Sequence, residues 1–148
     1  MLLRDITERL KTLTDQNGAP FITEVLTAVD RESVLDTGIV RRDAAFVVPI
    51  GEYGNGEFLY TGLDDQKIEV RFGVILAVRA VNDRLGQNVN ERLEAMYRAV
   101  RRHLIGWTPT ANDADPIAFV DGEIIFFGQG GAFWFETYTT SYTETPTE

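Results

Sequence analysis

The 148-residue chain carries 14 Lys and Arg against 23 Asp and Glu, a formal net charge of −9, with 44% hydrophobic and 25% charged residues. That balance describes one globular domain with a real core, and the negative surplus argues against a non-specific nucleic-acid binder that works by neutralising phosphates. There are no cysteines and one histidine, which excludes a disulfide scaffold and a thiolate metal site and leaves a zinc site to little but carboxylates.

The N-terminal MLLRDITERL lacks the long apolar run of a signal peptide, and the longest aliphatic run, 74–78, is far too short to cross a bilayer. The expectation is a soluble protein that stays in the cytoplasm. Charge is uneven along the chain. Arg92, Arg98, Arg101 and Arg102 crowd one segment, no Lys or Arg follows, and Asp113, Asp115, Asp121, Glu123, Glu136, Glu144 and Glu148 come after it. This is either solvated surface or a basic face made to meet an acidic face of a neighbouring subunit.

Residues 2–13 read as a first helix, with Leu3, Ile6, Leu10 and Leu13 at helical spacing, stopped by DQNGAP. Residues 21–36 fit a strand or a helix, and a short helix around 26–36, ended by Gly38, is favoured. AAFVVPIG (44–51) predicts a strand with Pro49 at its end or on an edge. The Gly-rich 51–66 predicts a mobile loop or loose hairpin, with 57–60 a candidate extended stretch. KIEVRFGVILAVRAVN (67–82) is the clearest strand, with Ile68, Val70, Phe72, Val74, Leu76 and Val78 on one face. At ~3.3 Å per residue, residues 67–80 would reach roughly 45 Å, so the strand either bends at Gly73 or sends one end to pair elsewhere.

Asn88 with Glu91 three residues on has capping-box spacing. The helix it opens has Val89, Leu93, Met96, Tyr97, Val100 and Leu104 as its apolar face. Gly106 suits a left-handed C′ position, Pro109 prevents continuation, and Arg101, Arg102 and His103 sit where cations suit the helix dipole. His103 therefore reads as a helix-end residue, with Trp107 packing over that end. In residues 114–144, Asp121-Gly122 is a tight-turn signal or a bulge. Residues 124–127 form a strand, GQGG (128–131) turns the chain, and 133–142 return antiparallel. The polar, Thr-rich end suggests an exposed strand or arm.

Little in the sequence suits catalysis. GEYGNG lacks the Gly-Lys-Ser/Thr ending of a phosphate loop. Asp64, Asp65 and Glu69 could hold a hard cation but fit a solvated loop better. Phe126, Phe127, Phe133, Trp134 and Phe135 could stack bases, yet the hairpin has no basic residue, so core or subunit interface is the better reading.

The order AAFVVPIGE, EVRFGVILAVRAVND, a helix ending VRRHLIGWTP, and AFWFETYTTSY resembles the phage tail terminator family, across residues 1–142. The resemblance implies an α+β fold: a mixed, mainly antiparallel sheet with helices packed on one side, single domain, followed by a polar arm at 143–148. It implies a structural virion protein that caps the tail tube as a homohexameric ring at the head-proximal end of the tail and ends tube polymerisation. The ring offers a docking surface to the head-tail connector protein, and DNA passes through its lumen without specific binding. No enzymatic activity, cofactor, metal or membrane partner is implied, and no residue carries over as catalytic. An acidic lumen suits DNA that must slide without sticking. Another head–tail joining protein, such as a connector stopper, is an alternative reading. A small enzyme with its site between strand 67–81 and the 51–66 loop is a more remote one. The charge split suggests a subunit interface in which Arg98, Arg101 and Arg102 face Asp121, Glu123 and Glu136 of the next subunit. Helix-dipole compensation within one subunit is the competing account.

Overall fold

In the computed structural model, which describes residues 2–36, 40–59, 64–80, 87–110, 113–128 and 130–147, the alternating run becomes β3 (Gln66–Arg79), the middle of a five-stranded sheet. Around it lie α1 (Leu2–Lys11), β1 (Glu24–Thr27), α2 (Arg31–Leu35), β2 (Ala44–Gly54), α3 (Gln87–Leu104), β4 (Ala118–Gly128) and β5 (Gly131–Glu144). The sheet order is β1-β2-β3-β5-β4. β1 runs parallel to β2, and every other neighbouring pair is antiparallel.

Two periods meet in the core. Phe72, Val74, Leu76 and Val78 of β3 pack with Val89, Leu93, Met96, Val100 and Leu104 of α3 and with Ile6 and Leu10 of α1. Each such side chain contributes about 1.5–3 kcal/mol on full burial. The Phe72 ring stacks on Tyr138 at 5.5 Å between centroids. The opposite face of the sheet holds Ile75, Ala77, Val48, Phe133 and Phe135 against Val34 of α2. The two long helices thus share one face, and the short α2 lies on the other.

Several expectations change. Residues 21–36 divide into a strand and a helix: β1 pairs from Glu24 against Ala44 to Thr27 against Val47, and Asp30 then caps α2 by accepting from the Ser33 N–H at 2.8 Å. Gly38 lies outside the described residues. Residues 51–54 are not loop but continue β2, paired as far as Gly54 with Ile68. Pro49 stands beyond the last β1 partner, where no ladder bond is asked of it, and the register shifts between Pro49 and Gly51. Residues 57–59 belong to no strand, and Tyr60 is outside the described residues.

β3 sends neither end elsewhere. It pairs along its whole length with β5, from Gln66 with Glu144 to Arg79 with Gly131. Gly73 makes room for a neighbour: a Cβ there would come within 2.5 Å of the Phe135 ring. α3 begins at Gln87, which puts Asn88 inside the first turn rather than at the cap. Of the two readings of Asp121-Gly122 the bulge holds and the turn does not, because β4 runs through it with a register shift between Phe119 and Asp121. The hairpin turns at 128–131 as expected, closing Gly128 on Gly131. The Thr-rich end is strand through Glu144, with Thr140, Ser141 and Thr143 buried. The β3 ladder satisfies their backbone, and the Thr140 hydroxyl donates to the Asp115 carbonyl at 2.6 Å.

Candidate subunit-interface site

At the end of α3 one of the predicted basic residues, Arg101, meets one of the predicted acidic residues, Glu136. Gly106 adopts φ +82°, which ends the helix. Its N–H donates to the Ile117 carbonyl at 2.9 Å, and the Ile117 N–H donates to the Trp107 carbonyl at 2.9 Å, so the helix end is tied to the entry of β4. Arg9 lies over the Trp107 ring at 5.4 Å.

His103 joins two helices. Its Nε2 lies 2.9 Å from the Arg9 carbonyl and 2.8 Å from Thr12 Oγ1. A carbonyl only accepts, so Nε2 carries the proton. Arg9 Nε donates back to the His103 carbonyl at 3.2 Å. Burial pulls the imidazole below its ordinary value of 6.5, against the opposing pull of the Arg9 carbonyl bond, and the Arg9 charge adds to the lowering. The helix-end reading of His103 holds, and the residue also latches α1 to α3.

Arg101 and Glu136 form the most buried polar node. Glu136 has 0% exposure. It accepts from Arg101 Nε at 2.6 Å and Nη2 at 2.8 Å, from Trp134 Nε1 at 2.9 Å and from the Tyr138 hydroxyl at 3.2 Å. The guanidinium lies between the Tyr97 and Phe119 rings, 4.3 and 4.2 Å from their centroids. Tyr97 in turn stacks on Trp134 at 4.6 Å. The Glu136 bond raises the Arg101 pKa further, against desolvation. The Tyr138 hydroxyl is held well above its usual range by burial, then by the Glu136 charge. Gly122 roofs the pair: a Cβ there would stand 2.2 Å from Glu136 Oε2 and 2.9 Å from Arg101 Nη2. The node pins α3, β4 and β5 together.

This corrects part of the predicted interface. Arg101 and Glu136 face each other within one chain, because Glu136 has no surface to offer a neighbour. Helix-dipole compensation alone is also too little for Arg101, which makes a bidentate buried pair. The other four residues are at the surface. Arg98 pairs with Glu94 at 3.6 Å, Glu123 lies 4.0 Å from Arg31, and Arg102 and Asp121 are exposed. On the 64–69 stretch, Glu69 pairs with Arg71 at 3.1 Å rather than joining Asp64.

Sequence reasoning left the hairpin aromatics to core or interface without dividing them. The division is sharp. Phe133 and Phe135 of β5 are buried, while Val120, Ile124, Phe126 and Phe127 of the edge strand β4 are 40%, 48%, 41% and 48% exposed. Only the sheet order separates the two groups.

The sheet thus has a core on both faces and, along β4, four half-exposed apolar side chains interspersed with Asp121 and Glu123. The family model described as phage tail terminator protein matches residues 3–147, and the chain belongs to that family. It is a family of structural proteins of phage tail assembly, which makes the chain a virion tail component. A comparison with curated proteins finds no match. No helix among the described residues is long and apolar enough to cross a membrane.

Proposed function

We propose that this protein caps the tail tube as a ring of six copies at the head-proximal end, ends tube polymerisation and presents the docking surface for the head connector. DNA passes through the ring without specific binding. The family membership supports the tail role. The observation that carries the assembly role is the β4 edge, eleven residues long with four half-exposed apolar side chains. Asp121 and Glu123 keep two such edges from joining each other, and the half-exposed apolar side chains along the same strand stay free for a different partner surface. The net charge of −9 suits a lumen that must not hold DNA.

The test is tube growth. Added to polymerising tail-tube protein, the chain should stop elongation and leave one six-fold ring at a single tube end in electron micrographs. Tubes that lengthen unchanged, or a ring of another symmetry, would overturn the reading. A ring that binds the connector but not tube ends would point to a stopper instead.

A further inference from the structure

The helix layer carries a stripe its own chain leaves open. Arg98, Arg102 and Ile105 are four and three residues apart, so they share one side of α3, and all three are exposed. Among the described residues, the ion pair of Arg98 is the surface one with Glu94. Arg102 has no ion-pair partner among the described residues. Beside the stripe, a groove of about 250 Å³ runs between α3 and the chain after α1, lined by Leu13, Phe21, Ala99 and Arg102 among others. Apolar Leu13, Phe21 and Ala99 line it together with polar Thr14 and His103 and the exposed, charged Arg102.

The β4 edge has the complementary character. Asp121 and Glu123 lie opposite Thr137 and Phe135, hence on one face of the strand. Val120 precedes them at the register shift, Ile124 opposite Trp134 borders the edge from the other face, and Arg31 of α2, 4.0 Å from Glu123, is the basic residue beside them, since no Lys or Arg follows residue 102. Two like edges would not join to each other. Register shifts at Phe119/Asp121 and Ile124/Phe126 break the ladder such a pairing needs, and acid would meet acid.

Resting on the ring reading above, we infer that the acidic β4 edge of one copy seats on the Arg98–Arg102 stripe and the groove beside it, between α3 and the chain after α1, of the next copy. Two different patches are used, so the contact is head-to-tail and closes into a ring when the rotation allows. The apolar residues supply affinity. The ion pairs, each worth ~0–1 kcal/mol at a rim, set register and direction.

The experiment is a charge swap between copies, read on tube ends by electron microscopy and in solution by mass photometry. One variant carries Asp121→Arg with Glu123→Arg, and a second carries Arg98→Glu with Arg102→Glu. Each alone should lose ring assembly by at least about tenfold, since like charges then face each other. An equimolar mixture should restore rings of alternating copies, because each altered edge meets an altered groove. If wild-type protein assembles and either variant does too, the surfaces are wrong while the ring reading stands. A mixture that stays dispersed also overturns the pairing. Wild-type protein that never forms rings on tubes overturns the ring reading itself. Cysteine probes cover the case of a variant that misfolds, as the chain has no cysteine of its own. Val120→Cys and Ala99→Cys proteins should form a disulfide dimer with each other. Val120→Cys dimers that form as readily without the second protein, or no cross-link at all, would count against the proposal.

Discussion

β4 and β5 are the two arms of one hairpin and are built from similar material. Both begin with small and aromatic residues and both carry acids: AFVDGEIIFFG and GAFWFETYTTSYTE. Yet β5 is buried almost throughout and β4 is exposed almost throughout. β5 lies between β3 and β4 and is covered on both faces. β4 has one strand neighbour, and Arg101 covers it at Phe119 and Gly122 in its first half. The same side chains therefore stabilise the fold in one arm and are free for partners in the other. Position in the sheet assigns the role, and composition does not.

The largest effect should fall in the inner layer. Phe72→Ala should cost about 3–5 kcal/mol by chemical denaturation, whereas Phe127→Ala on the edge should cost under ~1 kcal/mol and act on assembly instead. Equal shifts in the two midpoints would erase the contrast. Arg101→Ala should approach the Phe72 value, about 3–5 kcal/mol, because it strands a buried carboxylate. Adding Glu136→Ala to it should recover part of the loss, and a strictly additive double mutant would show that the two groups act separately.

A smaller change sharpens the boundary between the arms. Gly122→Ala should cost roughly 1–3 kcal/mol through crowding against Glu136, although Gly122 belongs to the exposed strand. An unchanged melting temperature would mean that β4 moves freely over the node.

The smallest effect concerns the latch between helices. With the His103 pKa below its unfolded value of 6.5, the unfolded state binds more protons as pH falls, so stability is full above about 6.5 and declines below it. The melting temperature of His103→Gln should fall less between pH 7 and pH 5 than that of the wild type. Asp115, held low by Lys67 and then Ser141, loses its contribution only in more acid solution. Parallel curves for the two proteins in that window would remove His103 from the account.

Much of the fold was legible. The period-two face of 67–82, the 3.6-period face of α3 and the glycine stop at 106 are local signals, and each names its own element. The hairpin turn at 128–131 was legible for the same reason. What stayed hidden depended on distant partners. Glu24 to Thr27 is a strand because β2 lies beside it, and nothing in TEVLT announces that neighbour. Residues 140–143 read as an exposed strand or arm, and their burial shows only once the other end of β3 is placed against them. The interface residues divided likewise. Arg101 and Arg102 are neighbours of one type in sequence, and the 100° step of the helix sends one guanidinium to Glu136 and the other to solvent. Spacing could have separated them once the buried face was known, since Arg101 stands one turn from Tyr97. The burial of Glu136 had no sequence signal.

The long ladder between β3 and β5 has a mechanical meaning. Two fourteen-residue strands run antiparallel in unbroken register, from Gln66 with Glu144 to Arg79 with Gly131. A load that draws one strand lengthwise past the other strains all of its hydrogen bonds together. A load that parts Gln66 from Glu144 opens them one after another, like a zip. The subunit is therefore stiff along the strand axis and weak across one corner, so the direction in which a tail pulls on it decides how much force it bears.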